Sequence, residues 1–433
     1  MSETHHDARI IKADRSQLNW DLVDLDAWLA PDHRARIVWA FVETLELGDF
    51  YAEIKARGSR PGRPAADPKV LLGLWLLAII EGVGSARELD RLTRRDLAYR
   101  WMSGGVPINY HGLADFRVGH GNMLDRLMTQ SLAAMMAEGL VSLDEMIVDG
   151  TKVKAHAGRN SYKNANDLAR LERDIKARLD TLKGELDGDP TLANRRRKAA
   201  SERAARERLS RVAKARKRLD AAEAERKIRA KKSPKEMRKK KPPQASTTDP
   251  DARKMRFADG AIAPGYNVQV ATTVANGIIL AVKATDRRKD SGLASVMVDE
   301  VERHLGRRPK RLLADTGYAT ASDIIHLAGH EKQPVTVYAP PPPDKVDAKP
   351  ETLRRRRAKR AGEPQALKEW RLRMMSDDGI QTMRKRKRIE LTNAHLKNRG
   401  LGRILIRGIE KISAHCLLQA LAHNLMTAHR LRT

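Results

Sequence analysis

The spacing of apolar residues changes character several times along this chain. From about residue 20 to 140 it is helical: Ile37, Val38, Phe41, Val42 and Leu45 share one face. Pro31-Asp32-His33 opens that segment, and Pro61-Gly62-Arg63-Pro64 reads as a linker-like break. Asp67-Pro68 then starts a helix carrying the apolar run Val70–Ile80, which Glu81, Gly82 and Gly84 close. This run is too short to span a bilayer and predicts a core helix. Ser85 suits the cap of the next helix, which carries Arg87, Arg91, Arg94 and Arg95. After Gly104-Gly105 a further helix is predicted around Leu113–Arg117. Short helices, glycine turns and surface arginines are consistent with a helix-turn-helix-like DNA-binding unit.

From residue 143 the pattern becomes that of a mixed α/β layer. Glu145-Met146-Ile147-Val148 predicts a strand ended by Asp149-Gly150-Thr151. Tyr266–Thr273 and Ile278–Thr285 predict a hairpin turning at Asn276-Gly277. A helix at about 291–305, a strand Arg311–Ala314 closed by Asp315-Thr316-Gly317, a helix at about 321–329 and a strand Val335–Tyr338 come next. Two insertions interrupt this layer. In the first, Leu168, Leu171, Ile175, Leu179, Leu182 and Leu186 repeat at helical spacing before a turn at Gly188-Asp189-Pro190. Ala205, Leu209, Val212 and Leu219 continue on a second helix, so a helical hairpin or short coiled coil is predicted. The second insertion holds the stiff spacer Pro340–Pro343, the basic run Arg354–Arg357, and Trp370, which suits a packing anchor or a stack on an unpaired base.

Charge narrows the choice of partner. The 433 residues include 84 Lys and Arg against 55 Asp and Glu, a net charge of +29. That excess favours nucleic acid before a membrane surface. Residues 191–241 hold 22 basic and 6 acidic residues, so they carry more than half of it. They read equally as a solvated charged arm and as a clamp on DNA phosphates. Cys416 is the sole cysteine, which rules out an internal disulfide or a thiolate zinc cluster and suits a reducing cytoplasm. The segment MSETHHDARI lacks an apolar signal core.

Residues 383–397, MRKRKRIELTNAHLK, place one carboxylate among cations. Drawn as a helix, they put Met383, Arg386, Glu390 and Lys397 on one face. This is either a solvated Arg–Glu pair or a site holding a metal ion beside a phosphate backbone. Asp149 and Asp315, each at a predicted strand end, are ordinary turn residues taken singly. If their strands are neighbours, both converge, and a late helix can add Glu390. Three such carboxylates suit two hard cations, Mg²⁺ or Mn²⁺, roughly 4 Å apart.

Arg386-x3-Glu390-x6-Lys397 resembles the Tyr-x2-Arg-x3-Glu-x6-Lys helix of the DDE transposases of bacterial insertion sequences. The resemblance continues in Gly62-Arg63-Pro64 through Arg100-Trp101, including Gly82-Val83-Gly84-Ser85-Ala86-Arg87-Glu88-Leu89. It continues in Val148-Asp149-Gly150-Thr151-Lys152, Tyr266-Asn267-Val268-Gln269 and Ala314-Asp315-Thr316-Gly317-Tyr318. Trp370-Arg371-x-Arg373-Met374 and the tail Arg407-Gly408…Leu421-Ala422-His423-Asn424-Leu425 also fit. It covers nearly the whole chain. It implies an α/β fold with a ribonuclease-H-like mixed sheet (141–159, 256–339 and 380–433), an N-terminal all-helical DNA-end-binding domain (1–140), a basic helical-hairpin insertion (160–255) and a Pro/Arg-rich insertion (340–379). It implies catalytic Asp149, Asp315 and Glu390 holding two Mg²⁺ or Mn²⁺ ions, with phosphate contacts from Arg386, Lys397 and Lys152. DNA contacts from Arg87, Arg91, Arg94 and Arg95 belong to the helical domain. The implied reaction is cleavage at the element's terminal inverted repeats and joining of the freed 3′-hydroxyl to target DNA. A homodimer in the synaptic complex, a nucleoid-associated cytoplasmic location and no membrane contact go with it. Met383 stands where the family has Tyr, so a hydrogen-bond donor is lost there. Asp290 also matches a family position, although a helix cap before Ser291 is its simpler role. A catalytically silent DNA-binding regulator and a structural basic coiled coil remain the competing expectations.

Overall fold

The computed structural model describes residues 24–55, 64–187, 192–232, 241–342 and 360–433. Most of the break at 61–64, the turn at 188–190 and the basic run 354–357 lie outside the described residues. The N-terminal region is helical as predicted: α1 (Leu25–Trp28), α2 (Arg34–Glu43), α3 (Gly48–Ala52), α4 (Pro68–Ile80), α5 (Ala86–Arg95), α6 (Leu97–Ser103), α7 (Tyr110–Gly119) and α8 (Gly121–Ala137). Asp67 caps α4 by accepting from the Lys69 amide, and nearly every α4 side chain is buried. A helix apolar on all sides must lie inside the core, which is where it sits. Ser85 caps α5, which buries Ala86 and Leu89 and leaves its four arginines exposed.

The strands are β1 (Glu145–Lys154), β2 (Tyr162–Lys163), β3 (Ala245–Ser246), β4 (Arg253–Arg256), β5 (Ile262–Thr273), β6 (Ile279–Thr285), β7 (Arg311–Leu313) and β8 (Thr336–Tyr338). The main sheet is mixed, in the order β4-β5-β1-β7-β8, with β6 also paired to β5. β4, β6 and β1 run antiparallel to β5, whereas β7 lies parallel to β1 and β8 parallel to β7. One expectation needs correcting here: β1 does not end at Asp149. It continues to Lys154 because β5 pairs with it as far as Gly265, so a turn-forming Asp-Gly pair is held in mid-strand by its ladder. β2 and β3 form a separate two-stranded sheet.

The first insertion is α9 (Ala165–Asp187) and α10 (Leu192–Lys232), packed through Leu168, Ile175 and Leu179 against Val212, Ala215 and Leu219. The remaining helices are α11 (Ala294–Leu305), α12 (Ala321–Ala328), α13 (Gln365–Met375), α14 (Asp377–Arg384), α15 (Arg388–Leu396) and α16 (Ile409–Arg432). Trp370 of α13 is 2% exposed and donates to the Ala339 carbonyl at 3.0 Å, which makes it a packing anchor.

α16 joins the sheet to the N-terminal helices in one apolar core, packing on β6 and on α4, α7 and α8. The tail motif has a structural role in that contact. Asn424 accepts from the Ile279 amide and donates to its carbonyl, both at 2.8 Å, so it satisfies an otherwise open strand edge. Asn424→Ala strands both backbone groups inside the core, and is expected to cost about 2–4 kcal/mol. A shift in the urea midpoint without a change in slope would show it.

Candidate active site

β1 and β7 are neighbours, and their register decides where the two aspartates emerge. Ile147 pairs with Leu313 in a parallel ladder. Side chains alternate along a strand, so Asp149 and Asp315, each two residues further on, leave on the same face. Beneath them Ile147, Leu313, Tyr338 and Val274 form an apolar cluster with Ile389 of α15. That contact seats α15 over the two aspartates. Asn393 on α15 donates from Nδ2 to Asp149 Oδ2 at 2.8 Å, while its own Oδ1 is buried without a partner. Glu390 is exposed and precedes Asn393 by three positions, which on an α-helix is the same face.

Residues 383–397 are not one regular α-helix. A 3₁₀ turn, Lys385–Lys387, separates α14 from α15, and Lys397 opens a π-turn running to Leu401. A 3₁₀ turn closes in about three residues rather than about 3.6, so Met383 and Arg386 shift around the axis relative to Glu390, while Glu390 and Lys397 keep the helical spacing of one face. Met383 instead packs against the apolar cluster that contains Tyr338 and Ile389. Its hydrophobic side chain thus has a packing reason to stand where a donor was expected. Arg386 still acts on the site, because its charge favours ionised Asp149. Lys397 is exposed. Lys152 pairs with Asn267 and alternates with Asp149, so it leaves β1 on the opposite face.

On α5, Arg91 pairs with Glu88 at 3.1 Å and Arg94 with Asp90 at 2.7 Å, while Arg87 lies over the Tyr110 ring. Arg95 is exposed beside them. These arginines form no contact with the acidic strand face. They belong to the surface of the N-terminal helices.

Asp290 departs from its expected role. It does not cap a helix: α11 starts at Ala294, with Leu293 at the cap position and no side-chain cap bond. Asp290 turns toward the sheet. Its Oδ1 accepts from Asn267 Nδ2 at 2.7 Å and from Gln269 Nε2 at 2.9 Å, and Gln269 in turn accepts from the Tyr318 hydroxyl. Gly150 makes room for this arrangement. A Cβ there would collide with Asp290 Oδ1 and stand 2.6 Å from Gln269 Nε2. A Cβ on Gly317 would lie 2.9 Å from Asp315 Oδ1 and 3.7 Å from Asp290 Oδ2, so these two carboxylates face each other across a glycine. A signal for this was present in Asn267 and Gln269. Two amides at strand spacing within an apolar segment need a polar partner.

The electrostatics match the geometry. Burial pushes Asp149 up to about 6; Arg386 and the Gly150 backbone oppose this, and the charges of Asp315 and Asp290 add to it. The Tyr318 hydroxyl is pushed far above its usual range by burial and then by Asp290, Asp149 and Asp315. Burial is thus the main cost of ionising Asp149, and the nearby carboxylates add to it. Among the described residues, no group of three or more His, Cys, Asp or Glu side chains stands close enough to hold a metal ion. Nor is any described helix long and apolar enough to cross a membrane.

Comparison with known families bears directly on this acidic face. Residues 246–425, which include Asp290, Asp315 and Glu390, match the family model described as Transposase DDE domain. Residues 23–118 match the family model described as Transposase domain (DUF772). The two matches support a transposase family. A DDE domain implies nuclease activity of the transposase type, suggests DNA as a partner, and belongs with the general use of divalent metal ions. Asp149 lies between the two matched regions and rests on its place in the sheet. No curated protein and no solved structure matched the chain.

Proposed function

We propose that this protein is an insertion-sequence transposase that cleaves DNA at the ends of a mobile element and joins the freed 3′-hydroxyl to target DNA. The observation that carries this reading is the pairing of Asp149 and Asp315 on adjacent parallel strands, under the helix that bears Glu390. The strand order, three antiparallel members followed by two parallel ones, is consistent with a ribonuclease-H-like core.

The donor set fits hard divalent cations. It is made of carboxylate oxygens, with the unpartnered buried Oδ1 of Asn393 beside them and a buried Asp149 whose charge a cation would stabilise. Asp149, Asp315 and Glu390 would hold Mg²⁺ or Mn²⁺, which activates the attacking oxygen and stabilises the leaving one when bound. The chain's own work is positional. Asn393 fixes the rotamer of Asp149, and the apolar cluster under Ile389 fixes the height of α15. Arg386 and Lys397 flank Glu390 and suit the phosphates on either side of the scissile bond. The exposed α5 arginines suit the element ends, and two copies would hold two ends in synapsis.

DNA carrying the inverted repeats that flank the reading frame provides the test. In Mg²⁺ the wild type should nick at the 3′ ends of the element, and Asp315→Ala should bind the same DNA without nicking it. Failure of the wild type on authentic ends would refute the proposal. Equal nicking by both proteins would refute the assignment of Asp315.

A further inference from the structure

A cleft of about 830 Å³ opens between α10 and the loop that follows β6. Its lining includes Arg226, Lys241, Arg253, Lys254, Arg287, Arg288 and Lys289, against only Glu225 and Asp286. Asp286 is already engaged, pairing with Arg218 of α10 and, at 3.1 Å, with Arg253 of β4. This ties the insertion to the core at the cleft's edge. Lys241, Arg288 and Lys289 are exposed, and among the described residues they make no hydrogen bond or ion pair. They also crowd their neighbours. Arg253 is held below its usual value by burial and then by Arg218 and Arg288. Lys254 is lowered by burial and then by Lys241 and Arg288. A concave surface that gathers this many cations around two carboxylates, with Asp286 already paired, suits a polyanion.

The loop has a second face. Asp290 follows Lys289 directly, is held by Asn267 and Gln269, and lies opposite Asp315 across Gly317. The basic cleft and Asp315 are therefore linked through one short segment, residues 286–290. We propose that the cleft is a phosphate track: it grips the DNA backbone next to the scissile bond and leads it to the acidic face. The inference rests on the transposase reading above. Cations are the largest class of lining residue and outnumber carboxylates seven to two, and the one aromatic ring of the lining, Tyr162, is covered by Lys254 at 4.6 Å. Contact is therefore with phosphates and independent of sequence.

The test uses the full chain and a labelled 30-base-pair duplex of arbitrary sequence, with EDTA present so that no cleavage occurs. Binding is measured across a salt series for the wild type and for the combined variant Lys241→Gln, Arg288→Gln, Lys289→Gln. Each duplex phosphate contact contributes roughly 0.9 to the slope of log affinity against log salt. The track predicts that the slope falls by about 2.7 in the combined variant. The three side chains support no other group and two of them repel Arg253 or Lys254, so the variant should unfold at or slightly above the wild-type urea midpoint, and that curve is recorded alongside. A wild-type slope in the folded variant overturns the track and leaves the transposase reading standing. A wild type that binds no DNA at any salt overturns both.

Discussion

Replacing Asp149 by Asn is expected to abolish metal-dependent cleavage and, in the same protein without metal, to raise stability at neutral pH. The two effects have one cause. Asp149 is held at about 6 by burial, with Asp315 and Asp290 adding to it against the opposing charge of Arg386. A carboxylate with a raised folded value favours folding while it stays protonated. That contribution is complete below the ordinary value of 3.8 and is lost as pH rises through about 6. Above that pH the folded protein carries the cost of an ionised carboxylate removed from water, with like charges adding to it. Asp149→Asn has no such ionisation, and its side-chain oxygen can still accept from Asn393. The variant should gain about 1–3 kcal/mol over the wild type at pH 8 in EDTA, and much less at pH 4. Urea unfolding at the two pH values measures this. An equal difference at both would show that ionising the buried Asp149 costs the fold nothing. The loss of cleavage should exceed the roughly 10–100-fold typical of disturbing a partner outside the metal shell.

Gly150→Ala should have the second largest effect, although it removes no functional group. The added Cβ is driven into Asp290 Oδ1 and stands 2.9 Å from Asn267 Oδ1 as well as 2.6 Å from Gln269 Nε2. Those atoms cannot simply rotate away. Asp290 is held by two amides, and Gln269 by the buried Tyr318 hydroxyl. The expected cost is about 1–3 kcal/mol of overpacking. Displacing Asp290 from its place opposite Asp315 should also lower the cleavage rate by about 10–100-fold. Single-turnover cleavage at saturating Mg²⁺, read beside the urea midpoint, separates the two effects. A variant that is destabilised yet cleaves at the wild-type rate would mean that Asp290 supports the fold alone.

Strands and helices are legible in the sequence because their periodicities are strong. The α4 run, the Asn276-Gly277 turn and the β7–α12–β8 alternation all sit close to where the pattern places them. Pairing is less legible. Asp149 and Gly150 carry a turn signal in isolation, and only the partner strand β5 keeps them extended. The expected helical face of residues 383–397 is interrupted ahead of Glu390 for a related reason: nothing local announces the 3₁₀ turn at Lys385–Lys387. Asp290 is hidden because a cap needs only its neighbours, whereas its actual partners lie 21 and 23 residues away. Asn393 escapes notice beside Glu390, although its spacing puts it on the same face. The residues whose role follows from one element can be read from the chain. Those that cannot depend on how two elements meet.

Glu390 offers the most direct measurement of the central claim. It is exposed and makes no hydrogen bond or ion pair among the described residues, so replacing it should leave the fold untouched. Single-turnover cleavage of element-end DNA in Mg²⁺ should therefore be lost in Glu390→Gln, with DNA binding and unfolding both at wild-type values. Cleavage by Glu390→Gln at the wild-type rate would contradict the account, because α15 would then deliver no catalytic carboxylate to Asp149 and Asp315.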